Sequence, residues 1–132
     1  MARYAAKKGL IYLATTGAAA ASPLTAAGMW SLNRQTDKID VTAFLDSNKI
    51  YVQGLPDVKG DLEAFWDDTD TALFTAAASS AAVRMYLYPS QDALSKYAYG
   101  LAWLDASIDC SVAGAVKIKS SFVAGGSWSQ NF

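Results

Sequence analysis

Three aspartates within four residues, Asp67, Asp68 and Asp70, are the densest group of potential metal ligands in the chain. A calcium loop needs alternating oxygen ligands, a central glycine and a closing glutamate, and neither of the last two stands where it is needed. Carboxylates ahead of an alanine-rich segment instead suit a helix N-terminus, where they accept from open amides and face the positive end of the dipole. Asp68 or Thr69 is the expected cap. Cys110 is the only cysteine, so no disulfide within the chain and no thiolate zinc site can form. It falls on the apolar register of its segment with no histidine to activate it, and a buried structural thiol is expected. Ser95 and Lys96 are adjacent, and neighbouring strand residues face opposite ways. Gly125-Gly126 reads as a turn, because no helix start and no Lys-Ser/Thr follow.

The sequence contains no histidine. That removes the commonest general base, the commonest metal ligand and the physiological pH switch. Ser-His-Asp and Cys-His arrangements are excluded. No cofactor or metal is expected, and the only enzyme reading left is one that uses carboxylates alone. Trp66, Trp103, Trp128, Tyr97 and Tyr99 could stack on sugar rings. They support one alternative reading, a secreted or surface β-sandwich acting as a carbohydrate-binding module, although strand aromatics more often fill cores and interfaces.

The elements that must position these residues come from a chain of 132 residues, the size of one domain. Apolar residues make up 52%, enough for a core, and the net charge is −1. A nucleic-acid binder would show a basic patch, and a disordered chain would show low hydrophobicity with high net charge. The N-terminal segment has basic residues ahead of an apolar run from Gly9 to Ala14, too short for the core of a secretory signal. No apolar run of about 18 residues occurs, so no membrane-spanning helix is expected.

Most of the chain reads as strand. From Ile108 onward, Ile108, Cys110, Val112, Val116, Ile118, Phe122 and Trp128 share one parity, and Asp109, Ser111, Lys117, Lys119, Ser121 and Ser129 the other. That period of two implies strands broken near Gly114 and Gly125-Gly126. Residues 4–14, 29–34, 58–66, 82–88 and 96–105 are further strands, with both faces of the last two covered. In 58–66, Val58, Leu62, Ala64 and Trp66 form the apolar face. "GLPDVKGD" reads as a turn. Residues 15–28 read as a small-residue loop, and one helix is expected over about 70–80. The class is mainly β with one flanking helix, a single domain over 1–132 folded as a sandwich or barrel.

Short motifs in a particular order carry a resemblance. "KKGLIYLAT" is followed by "MWSLNRQTDKIDVTAFLDSNKIYVQGLPDVKGDLEAFWDD", then by the helix, "VRMYLYP" and "YAYGLAWLDASIDCSVAGAVKIKSSFVAGGSW". Over almost its whole length the chain resembles the major tail tube proteins of long-tailed phages and related gene transfer agents. In that family an Ile-Asp-Val-Thr segment precedes a loop ending in Asp-Ser-Asn-Lys-like residues, and a Gly-Leu-x-Asp turn leads into a strand and a short helix.

The resemblance implies a structural virion protein with a tail tube-like fold. It implies a homo-hexamer whose rings stack into a tube lined by a continuous β-barrel, surrounding a tape-measure protein and meeting tail terminator and baseplate proteins. DNA would pass through the lumen without specific binding. Assembly would occur in the host cytoplasm, the product would sit in the virion tail, and no membrane would be involved. Long exposed strand edges are an aggregation hazard that closure into a ring removes, and unlike ring faces stack head to tail. The loop over 42–49, with Thr42, Phe44, Asp46, Ser47, Asn48 and Lys49, is then a candidate contact to a neighbouring subunit or ring. Residues 15–28 are a second candidate, and Lys7 and Lys8 are candidates for pairing with an acidic partner surface. A conduit for DNA should repel phosphate. Asp57, Lys59, Asp61 and Glu63 are the favoured lining, with Asp109, Ser111, Lys117 and Lys119 as the other option.

Overall fold

The computed structural model describes residues 8–15, 20–24 and 26–132. Strands β1 (Leu10–Leu13), β2 (Ser22–Pro23), β3 (Ala27–Asp40) and β4 (Tyr51–Phe65) precede helix α1 (Ala72–Ala77), and β5 (Val83–Tyr88), β6 (Ala98–Asp109) and β7 (Lys117–Gln130) follow it. They form one seven-stranded sheet in the order β2-β1-β5-β6-β7-β4-β3. Every paired neighbour is antiparallel.

Alternation decides which face goes inward. Ile11, Leu13, Val58, Leu62, Val83, Met85, Leu87, Ala102, Leu104, Ile118 and Phe122 all point to one side and are buried. Leu73 and Ala76 of α1 join the same cluster. β1 and β3 stand five places apart in the sheet yet come within 8 Å of one another, so the sheet curls around this core. Trp128 closes it: the indole stacks on Phe122 at 5.7 Å and donates to the Leu101 carbonyl at 2.8 Å. Gly100 leaves room for that indole, since a Cβ there would lie 2.6 Å from Trp128 Cγ. Buried Ser120 satisfies its hydroxyl by donating to the Asp105 carbonyl at 2.6 Å.

The mainly β chain with one helix is as expected, with several local corrections. The helix is shorter than 70–80 and begins after Thr71, which makes no side-chain cap bond. Asp70 accepts from the Ala72 amide at 3.0 Å, and Asp67 turns back on Thr69. "GLPDVKGD" is no turn but the middle of β4. Asp37 faces two residues, Gly54 and Leu55, in a bulge between the Thr36–Pro56 and Lys38–Gln53 pairs. Part of 15–28 forms β2, and residues 4–7, 16–19 and 25 lie outside the described residues. The alternation from Ile108 is buried only from Ile118 onward. Ile108, Cys110 and Val112 are exposed, because the β6–β7 hairpin runs past the end of the core. Cys110 is therefore an exposed thiol, and Trp66, at the end of β4, is also exposed. The outward face of β5 and β6 is only half covered.

Candidate inter-subunit surfaces

β4 pairs with β7 only over Lys59–Phe65. From Asp57 back to Tyr51 its one partner among the described residues is β3. The two strands therefore leave the sheet as a free arm, and residues 41–50 close its tip. Hydrogen bonds within the arm give it shape. Thr36 Oγ1 accepts from Gln53 Nε2 at 2.8 Å near the base. At the tip, Thr42 Oγ1 donates to Asp40 Oδ1 at 2.6 Å and accepts from the Ile50 amide at 2.9 Å. The Ala43 amide donates to Asp46 Oδ2 at 2.7 Å. Leu45 is held at φ 77°, a left-handed conformation that a leucine rarely adopts.

This built tip exposes apolar surface. Phe44 and Leu45 are 100% and 104% exposed and Leu55 89%. Ile39, Val41, Ile50, Tyr51 and Val52 are about half exposed on the arm's flanks. Apolar side chains are thus grouped on the arm, not scattered singly as on an ordinary surface. Thr42, Phe44, Asp46, Ser47, Asn48 and Lys49 all lie on the exposed tip. Hydrogen bonds to the Thr42 hydroxyl and then its amide hold the Asp40 carboxyl below its ordinary value. Lys8 is elsewhere: it lies just before β1 and pairs with Asp92 at 2.6 Å within its own chain. Lys7 lies outside the described residues. The sequence reading missed Ile50, Tyr51 and Leu55; the available signal was the apolar run Ile50-Tyr51-Val52 directly after the polar loop, with Leu55 in the same parity as Tyr51.

The two candidate linings are not alternatives. Asp57, Lys59, Asp61 and Glu63 point away from the core, and β7 sets Lys119 opposite Glu63 and Ser121 opposite Asp61. β6 sets Asp109 opposite Lys117, and Ser111 lies in the turn beyond. The outer face of β4, β7 and β6 thus carries five carboxylates (Asp57, Asp61, Glu63, Asp105, Asp109) against three ammonium groups (Lys59, Lys117, Lys119), a net of −2. Lys119 is 3.8 Å from Asp109. A shallow concavity of about 360 Å³ between Met29, Asp61, Glu63, Asp105, Ser107 and Lys119 runs over it.

The aromatics do not make one platform. Trp128 faces the core, whereas Trp66 follows the last residue of β4 and Trp103 stands on the outer face of β6. Tyr97 and Tyr99 pack into a separate layer with Tyr12, Tyr86 and Tyr88, in which Tyr86 stacks on Tyr99 at 5.7 Å. Burial in this layer, and then Tyr12, Tyr97 and Tyr86, push the Tyr88 phenol above its ordinary value. Among the described residues no group of His, Cys, Asp or Glu side chains could hold a metal ion, and no helix is long and apolar enough to cross a membrane.

No protein-family model matches the sequence, and no curated protein matches it. Solved structures match it over 98% of its length. The tail of an empty gene transfer agent particle, with C6 symmetry, gives a TM-score of 0.78 at 14% identity and is covered completely. The virion of a native gene transfer agent particle gives 0.75 at 13% identity, again with that chain covered completely. The SPP1 tail tube gives 0.75 at 13% identity, with 79% of that chain covered. The fold of this chain is therefore that of tail tube proteins.

Proposed function

We propose that this chain is the subunit of a phage or gene transfer agent tail tube, a structural protein that does no chemistry. Copies close into hexameric rings, the rings stack, and DNA passes through the lumen. The observation that carries this reading is the free arm: β3 and β4 extend past the sheet with their apolar side chains uncovered, in a chain whose whole length has a tail tube fold. A lone subunit gains nothing from that exposure, whereas a ring covers the arm and closes the sheet edges. The outer face of β4, β7 and β6 supplies the lumen lining, with Asp57, Lys59, Asp61 and Glu63 at its centre. Its slight negative excess keeps phosphate moving and leaves no basic site to hold it.

On this reading the chain works in the virion tail, where the tube surrounds a tape-measure protein and meets terminator and baseplate proteins, after assembly in the host cytoplasm. Thr42, Phe44, Asp46, Ser47, Asn48 and Lys49 contact the neighbouring copy. Light scattering on a size-exclusion column tests the reading. Assembly into hexamers and their multiples as concentration rises is expected, and a monomer at every concentration would overturn it.

A further inference from the structure

The two ends of the strands differ, and both are apolar. The arm tip presents Phe44, Leu45 and Asp46 in one run. The opposite end is built where β4 finishes beside the β6–β7 hairpin: Phe65 lies opposite Lys117, and the Trp66 amide donates to the Val116 carbonyl at 2.9 Å. Phe65 and Trp66 are about half exposed there and Val112 fully so. Lys117 Nζ lies 5.9 Å from the Phe65 ring centre, and among the described residues no carboxylate pairs with it.

We infer that this end is the receptor for the arm tip of a second copy, so that Phe44 and Leu45 cover Phe65, Trp66 and Val112 while Asp46 meets Lys117. The inference rests on the tail tube reading and names the partner of the arm. The chain cannot satisfy itself. The 15 residues of β4 separate the arm from Phe65, and at about 3.3 Å per residue that is roughly 50 Å. The two surfaces match in kind, an apolar pair beside an acid meeting an apolar pair beside a base. Because they lie at opposite ends of the strands, copies joined in this way are displaced along the strand direction, and the head-to-tail contact repeats as a filament.

Cys110 stands near this receptor on the β6–β7 hairpin and is the only cysteine, which makes the contact testable by cross-linking. Assembled Ala43→Cys protein, which keeps Phe44 and Leu45 and adds a thiol beside them on the exposed tip, should give a ladder on denaturing gels extending past the hexamer when treated with a short bis-maleimide. The same variant carrying Cys110→Ser should give none, and Ser47→Cys serves if Ala43→Cys misfolds. Tubes visible by electron microscopy with no ladder, or with a ladder ending at a closed hexamer, would overturn this inference and leave the tube reading standing. Absence of both tubes and ladder would overturn both. From the other end, Trp66→Glu should leave a folded subunit and raise the concentration needed for assembly by about tenfold or more. Unchanged assembly would remove Trp66 from the contact.

Discussion

The Thr42 hydroxyl accepts from the Ile50 amide at 2.9 Å and donates to Asp40 at 2.6 Å, so a single side chain ties the two sides of the arm tip together. Thr42→Val keeps the shape and removes both bonds. Because the site is exposed, the thermal midpoint of the subunit should move little, by the equivalent of about 0.5 kcal/mol at most. Assembly should weaken, since the tip must be ordered again on docking. Calorimetry and sedimentation of one sample separate the two effects.

Leu45 tests the same tip from its backbone. At φ 77° a leucine is strained by about 1 kcal/mol or more, which glycine does not suffer. Leu45→Gly should leave the subunit as stable as the parent or more so, and should still impair assembly because the exposed side chain is gone. Denaturant unfolding beside a pelleting assay reads both.

In the core, Gly100 and Gly60 are held by close approach. A Cβ at Gly100 would lie 2.6 Å from the Trp128 ring, and one at Gly60 would run into the Ser31 carbonyl oxygen. Gly100→Ala should cost about 1–3 kcal/mol. Gly60→Ala should cost more, because a backbone carbonyl yields less than a side chain. Thermal unfolding of the two variants gives the order.

Equal damage from aspartate at positions 116 and 118 would follow from alternation alone. The structure separates them: Ile118 is buried, whereas Val116 is only half-buried near the end of the sheet. Ile118→Asp should unfold the subunit by burying an unpaired charge, a loss of about 4 kcal/mol or more. Val116→Asp should remain folded. Far-ultraviolet circular dichroism distinguishes these outcomes.

That contrast shows what was legible in the sequence. Ile118 to Trp128 alternate because one face is buried, and the same signal marked Val58, Leu62 and Ala64 correctly. It failed at Ile108, Cys110, Val112 and Trp66 for one reason: alternation reports that a face is apolar, not whether this chain or another covers it. The arm was half visible. Residues 42–49 read correctly as a loop, but Gly54 and Pro56 concealed the return strand, because a bulge absorbs the glycine and the proline sits where β4 has no second partner among the described residues. The joint charged face could not be found without the β4–β7 register, which sets Glu63 against Lys119.

The hydrogen bonds on Asp40 also make a pH prediction. A carboxyl lowered on folding stabilises the ordered tip above its ordinary value of 3.8, and that contribution disappears as pH falls through the lowered value. Assembly should therefore be insensitive to Asp40 from neutral pH down to the ordinary carboxylate range, and the tip should loosen below it. An NMR titration of Asp40 with exchange of the Thr42 amide would show both, and Asp40→Asn should loosen the tip even at neutral pH.

Negative-stain electron microscopy of the concentrated, purified protein shows whether its copies build a tube. Hollow tubes of uniform width are expected, with a regular axial repeat and sixfold symmetry in end-on views. A field of dispersed subunits at the same concentration would contradict the tube reading.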